Sequence, residues 1–264
     1  MLRARLATAG VVIPLLIVVI LYAPPWLFAA VVGGIAAFGV VEYFAMAFPA
    51  QLGNRVFGIA MGWMFVGAMA SASPEWVAMA MVIALVVGLS WTLLARPDFE
   101  KGLADLGFTF LGAAYVGVLL PYFIWLWREP QGPYWVIFLL AVAMAGDSSG
   151  YFVGRAAGRH KLMPRVSPGK TVEGALGILA GNALGGGMAK LVVLPELSWA
   201  EALVIAVAAG VLGQVGDLCE SMMKRTFTTK ESGWLFPGHG GVLDRIDSLV
   251  FPVALLYYYV NLYR

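Results

Sequence analysis

Nine apolar stretches, each close to the length of a membrane-crossing helix, follow one another along this 264-residue chain, and that succession limits its fold more than any other feature. They fall at about 9 to 23, 26 to 47, 55 to 71, 76 to 95, 104 to 127, 134 to 155, 171 to 193, 200 to 223 and 242 to 262. About 20 apolar residues in a helix cross the hydrocarbon core and satisfy their own backbone groups on the way. Polar or helix-breaking segments separate the stretches, among them Pro24-Pro25, Pro49 to Asn54, Ser71 to Pro74, Arg128 to Pro133 and Pro195 to Ser198. Only 12% of the residues are charged and 61% are hydrophobic, whereas a soluble domain carries about 25% charged residues. The expected fold is therefore all-α, a polytopic integral membrane protein of about nine transmembrane helices with no large soluble domain. Arg3 and Arg5 precede the first run as they would in a signal peptide, but no small-residue cleavage site follows Val11 to Tyr22, which favours a retained span. The single cysteine, Cys219, leaves no partner for an intrachain disulfide and no Cys/His zinc spacing.

The charges then orient the chain. With a cytoplasmic N-terminus, Arg3, Arg5, Arg55, Arg96, Lys101, Arg155, Arg159, Lys161, Arg165, Lys170, Lys224, Arg225, Lys230 and Arg245 all fall on the cytoplasmic side, 14 of the 17 basic residues. Cytoplasmic loops carry the excess of Lys and Arg in such proteins, so span count and orientation support one another. Arg128 and Arg264 fall outside, and Lys190 lies in the outer part of span seven, placed to snorkel. Residues 1-130 read as a transmembrane scaffold of about five spans. Residues 131-264 read as a catalytic region of about four spans with two long cytoplasmic loops, Arg155 to Lys170 and Lys224 to Gly241. Glu42, inside span two, is the exception in the scaffold. It is a functional candidate as an intramembrane carboxylate, or else a hydrogen-bond partner for a neighbouring helix.

The chemistry-bearing residues concentrate around the two loops. Asp147 lies toward the cytoplasmic half of span six and needs pairing, hydration or a metal. The glycines at 150, 154 and 158 recur every four residues, the spacing that lets membrane helices pack closely. Gly169-Lys170-Thr171 matches the end of a phosphate-binding P-loop, but Pro164 stands where that motif needs its first glycine, which excludes it. A basic loop entering a helix near Thr171 remains, either holding a phosphate at the helix N-terminus or merely enforcing topology, with Glu173 complementing the helix dipole. In the last third, Asp217 and Glu220 are three apart, as are Asp244 and Asp247, so each pair shares a helix face. A divalent cation or a salt bridge to Arg225 or Arg245 would relieve the repulsion, and dense hard oxygen ligands suit Mg²⁺. Gly238, Gly240 and Gly241 surround His239 and permit close approach and positive φ, while Leu243 breaks any dinucleotide-binding glycine pattern.

The run Ser221-x-x-Lys224-Arg225, Lys230-Glu231-x-Gly233, Pro237-x-His239-Gly240-Gly241, Asp244-Arg245-x-Asp247 resembles the signature of the CDP-diacylglycerol synthase family, also called phosphatidate cytidylyltransferase. Upstream, Asp147-x-x-Gly150-Tyr151-Phe152, Gly154-Arg155, Gly158-x-His160-Lys161, Ser167-Pro168-x-Lys170-Thr171 and Glu173-Gly174 are similar to the family's other recurrent block. The resemblance covers about residues 140 to 250. Glu231 replaces the usual Asp, Ser148-Ser149 stand where Thr-Gly or Ser-Gly is common, and Gly169 replaces a second Lys. The first departure bears on direct contact by Glu231, and the third removes a phosphate contact.

The resemblance implies transfer of the cytidylyl group of CTP to phosphatidic acid, giving CDP-diacylglycerol and pyrophosphate in phospholipid biosynthesis. It implies Mg²⁺ and a second cation, K⁺, with Asp147, Asp217, Asp244 and Asp247 as the metal set. Lys224, Arg225, Lys230, His239 and Arg245 become phosphate contacts, completing with Asp217, Asp244 and Asp247 the expected catalytic set. Ser167, Lys170, Thr171, Glu173, Ser221, Gly240 and Gly241 become the substrate-binding set. The implied partners are CTP, phosphatidic acid and the membrane lipid bilayer, with no nucleic acid and a homodimeric assembly. The implied location is a bacterial inner membrane with the site at its cytoplasmic face and a lateral groove for the lipid tails. Another CTP-dependent lipid transferase or a lipid kinase shares these needs. An ion transporter would instead show an internal repeat, which the sequence lacks.

Overall fold

The computed structural model describes residues 13 to 233 and 240 to 264. Among them are the helices α1 (Ile13–Tyr22), α2 (Pro25–Ala47), α3 (Leu52–Ala70), α4 (Pro74–Ala95), α5 (Phe99–Gly117), α6 (Tyr122–Arg128) and α7 (Gly132–Ala157). A short hairpin of β1 (Lys161–Met163) and β2 (Ser167–Thr171) follows, then α8 (Val172–Val192), α9 (Trp199–Thr226) and α10 (Leu243–Tyr263). Among the described residues, seven segments are long and apolar enough to cross a membrane: α2, α4, α5 with α6 as one unit, α7, α8, α9 and α10. The protein is thus an integral, polytopic, helical membrane protein. The nine expected spans map onto these seven together with α3, which carries Asn54 and Arg55 in its first turn, and the ten described residues of α1, Ile13–Tyr22.

Local chemistry sets the helix ends. Pro25 and Pro74 open α2 and α4 at the position where a missing N–H costs nothing. Asp98 caps α5, and Ser198 and Glu201 form a reciprocal capping box on α9. Glu201 also accepts from Tyr259 Oη at 3.1 Å and pairs with Arg264, fastening the start of α9 to the end of α10. The expected fifth span, 104 to 127, is broken: α5 ends at Gly117 and α6 starts at Tyr122. Pro121 causes the break, because its ring would strike the carbonyl four residues back and it has no N–H to donate. The hairpin is the other departure from an all-α reading. It pairs Lys161 with Thr171 and Met163 with Ser167, antiparallel with an irregularity between.

Glycine lets α7, α8 and α9 approach closely, and α7 with α8 is the most extensive helix contact. A Cβ at Gly177 would come within 2.7 Å of Val153, and one at Gly185 within 2.7 Å of Ala145. Gly154 faces Gly174 across the same seam, so the glycines spaced by four serve packing. On α10, Pro252 cannot donate to the Ser248 carbonyl, and α9 brings Gly213 directly against that oxygen. Lys190 does not snorkel to an exposed position. It is buried, donates to the Pro195 carbonyl at 3.1 Å and lies over the Trp199 ring.

Candidate active site

A cleft of about 550 Å³ opens where α7, the hairpin, α8 and α9 meet, and Asp147, Lys170, Thr171, Gln214 and Asp217 line it. The local sequence accounts for this gathering. Thr171 Oγ1 accepts the Gly174 N–H at 3.1 Å and so caps α8, which fixes Lys170 immediately before the cap and two residues before the helix start. Lys161 Nζ donates to the Pro168 carbonyl at 2.8 Å, and Arg225 Nε donates to the Val166 carbonyl at 3.2 Å, tying the hairpin to itself and to α9. Lys170 then reaches across to form an ion pair with Asp217. Ser221 Oγ donates to the other Asp217 oxygen at 3.5 Å. Asp147 on α7 and Asp247 on α10 both lie close enough to Asp217 for direct charge repulsion. Below the cleft a small pocket continues past Asp147 and Asp217 to Asn182, Gln214 and Ser248. Asn182 is buried there between Gly146 and Gly210, and its Oδ1 has no hydrogen-bond partner among the described residues.

A second network lies one helical turn further along α9. Lys224 Nζ sits 2.5 Å from Glu220 and 2.6 Å from Asp244. The other oxygen of Asp244 accepts from Ser232 N at 3.0 Å, Ser232 Oγ at 2.8 Å and Gly241 N at 2.8 Å. Gly240, at φ +76°, is in the left-handed region, and a Cβ there would meet the same Asp244 oxygen at 2.5 Å. Glu42 enters from α2, accepting the Leu243 N–H at 3.0 Å and lying 3.5 Å from Ser232 Oγ. Glu220 is fully enclosed, with Lys224 as its ionic partner.

Asp217 is the acid near both Asp147 and Asp247, and Glu220 lies near Asp244 and Asp247; among the described residues Lys170 and Lys224 form ion pairs with members of this set. No three acidic, His or Cys side chains among the described residues form a ready-made metal cage. Mg²⁺ does not require such a cage, because it is commonly held by one or two carboxylates and completes its octahedron with water and substrate phosphates.

The sequence profile of the Cytidylyltransferase family matches residues 3–263. The chain belongs to this family. Phosphatidate cytidylyltransferase of Bacillus subtilis is 36% identical over 183 residues, 69% of this chain and 67% of that protein. The enzyme of the same name from Brucella abortus is 47% identical over 129 residues, 49% of this chain and 47% of that one. A third, from Staphylococcus epidermidis, is 35% identical over 186 residues, covering 69% of this chain and 70% of the relative. The chain thus spans about two thirds of two of these relatives and about half of the other.

Within this cytidylyltransferase, the expected site residues divide by position. Asp147, Lys170, Thr171 and Asp217 share the cleft, with Asp247 and Ser221 beside Asp217. Asp244, expected in the metal shell, has both oxygens occupied by Lys224 and by the loop donors. Gly240 and Gly241, expected to make room for substrate, lie against Asp244, Glu42 and Ser232. Glu173 is taken up by the hairpin: it accepts from Arg159 N at 3.0 Å and His160 N at 3.2 Å and contacts His160 Nδ1 at 2.6 Å. Ser167 sits in β2 opposite Met163, away from the cleft lining. Lys230 and Arg245 carry exposed side chains, and His239 lies outside the described residues. Lys170 and Lys224 pair with these acids, while Arg225 Nε donates to the Val166 carbonyl. Glu220 was visible as half of a paired-acid motif and Glu42 as an intramembrane charge. Ser232, Gln214 and Asn182 gave no signal in the sequence.

Proposed function

We infer that this protein is a phosphatidate cytidylyltransferase, converting CTP and phosphatidic acid to CDP-diacylglycerol and pyrophosphate. The observation that carries the reading is the gathering of Asp147, Asp217 and Asp247 from three membrane helices beside a cleft that also holds Lys170. A phosphate oxygen of phosphatidic acid attacks the α-phosphorus of CTP, and the bond from that phosphorus to the bridging oxygen breaks to release pyrophosphate. A phosphate monoester already carries about −1.5 to −2 charge at neutral pH, so the nucleophile needs no strong base. The task left to the protein is to offset repulsion between two polyanions. Lys170, at the cleft, supplies positive charge to a phosphate while Asp217 fixes where its ammonium sits. Lys224, held between Glu220 and Asp244, and Arg225, anchored on Val166, present further cationic groups at the end of α9. Bound to Asp217 with Asp147 or Asp247, Mg²⁺ would polarise the CTP phosphates and neutralise the departing pyrophosphate, with K⁺ as a second cation.

Tyr151 lines the cleft and is exposed, and exposed apolar side chains on the same helices, Phe152 on α7, Leu176 on α8 and Val215 on α9, would meet the bilayer that carries the diacyl tails. The same reading puts the N-terminus, the hairpin and the site at the cytoplasmic face and pairs two copies as a homodimer. The orientation is supported by the basic hairpin with Lys161, Arg165 and Lys170 and by the clustering of basic residues in alternate loops, and the homodimer follows from the family resemblance alone. Purified protein in nanodiscs, given labelled CTP and Mg²⁺, is expected to form lipid-linked CMP and release pyrophosphate with phosphatidate and to form nothing with a polyprenol. Product from the polyprenol alone, or phosphoryl transfer without pyrophosphate, would assign it to another class of CTP-dependent lipid enzyme.

A further inference from the structure

Glu42 is a charged side chain on α2, in the half of the molecule that otherwise reads as scaffold, yet it ends inside the Ser232–Asp244 network. Its Oε2 accepts the N–H of Leu243, the first residue of α10, at 3.0 Å. The first N–H groups of a helix have no partner within it, and a carboxylate there also meets the positive end of the helix dipole. The same oxygen lies 3.5 Å from Ser232 Oγ, whose hydroxyl donates at 2.8 Å to Asp244. The two glycines nearest this carboxylate belong to the recognisable signature. A Cβ at Gly233 would come within 2.6 Å of Glu42 Cδ, and one at Gly241 within 2.7 Å of it. Each absent side chain leaves room for Glu42.

We propose that Glu42 is a positioning residue for cytidylyl transfer, clamping the start of α10 and Ser232 so that Asp244 holds Lys224 in its reactive orientation. It acts through Asp244 and Lys224, and among the described residues its hydrogen-bonding contacts are Leu243 N and Ser232 Oγ. Its loss therefore falls on turnover rather than on nucleotide affinity. The inference rests on the cytidylyltransferase reading, so its test needs a readout that does not depend on activity. Wild type, Glu42→Ala and Glu42→Gln in nanodiscs are compared by CTP kinetics and by amide hydrogen exchange of the peptide containing residues 240–248. In Glu42→Ala, kcat is expected to fall about tenfold or more with KM for CTP changed less than about twofold, while exchange at 240–248 rises and exchange in α8 is unchanged. Glu42→Gln keeps an acceptor oxygen and is expected to recover much of both. Wild-type kcat and exchange in Glu42→Ala would overturn the proposal, as would failure of Glu42→Gln to recover either. Wild type that makes no CDP-diacylglycerol would sink the functional reading alone, because the exchange data still decide whether Glu42 holds this segment.

Discussion

Lys170 and Lys224 each pair with an acidic residue of α9, but in opposite surroundings. Lys224 is enclosed between Glu220 and Asp244, and every Asp244 oxygen has a donor. The Lys170–Asp217 pair borders an open cleft, and Asp147 and Asp247 crowd Asp217 without an ion pair of their own among the described residues. A carboxylate with a donor on each oxygen, such as Asp244, specifies one local structure, whereas acids crowded beside an open cleft are candidates for ligand binding. On this reading the Lys224 side keeps one cation fixed in place by its partners, and the Asp217 side is where a ligand would complete the charge balance.

The sharpest way to break that division is Asp217→Asn, which should lower CDP-diacylglycerol formation by about a thousandfold or more while the protein elutes and melts as wild type. Next in size, Lys224→Met leaves Glu220 and Asp244 without their cation. It should cost about 3–5 kcal/mol of stability, read as a lowered thermal midpoint in nanodiscs, because buried charges lose their partner. Ser232→Ala removes one donor to Asp244 and should cost about 1 kcal/mol with a several-fold loss of turnover. Glu173→Gln, which loosens the hairpin rather than the cleft, should change kcat less than about threefold. A larger loss from Glu173→Gln than from Ser232→Ala would move the hairpin clip into the chemistry and blur the comparison.

Much of the fold was legible because membrane helices announce themselves by length and apolarity. The break before α6 was not, since Leu119 and Leu120 continue the apolar run up to Pro121. The hairpin was hidden because strands of three and five residues in a basic, Pro- and Gly-containing segment carry no alternating pattern. At the site, Asp147 and Asp217 stood out as charges in apolar segments. Their relation to Lys170 did not, because the pairing of Lys170 with Asp217 depends on how β2 packs on α9. Glu42 meets Leu243 from the far end of the chain, a closure that follows from helix packing and leaves no mark in local spacing.

The most direct test of the Asp217-centred account is Mn²⁺ binding in the presence of CTP, followed by electron paramagnetic resonance on nanodisc-embedded wild type, Asp217→Asn and Ser232→Ala. The account predicts a bound Mn²⁺ signal in wild type and Ser232→Ala and its loss in Asp217→Asn. A wild-type Mn²⁺ signal in Asp217→Asn would contradict it.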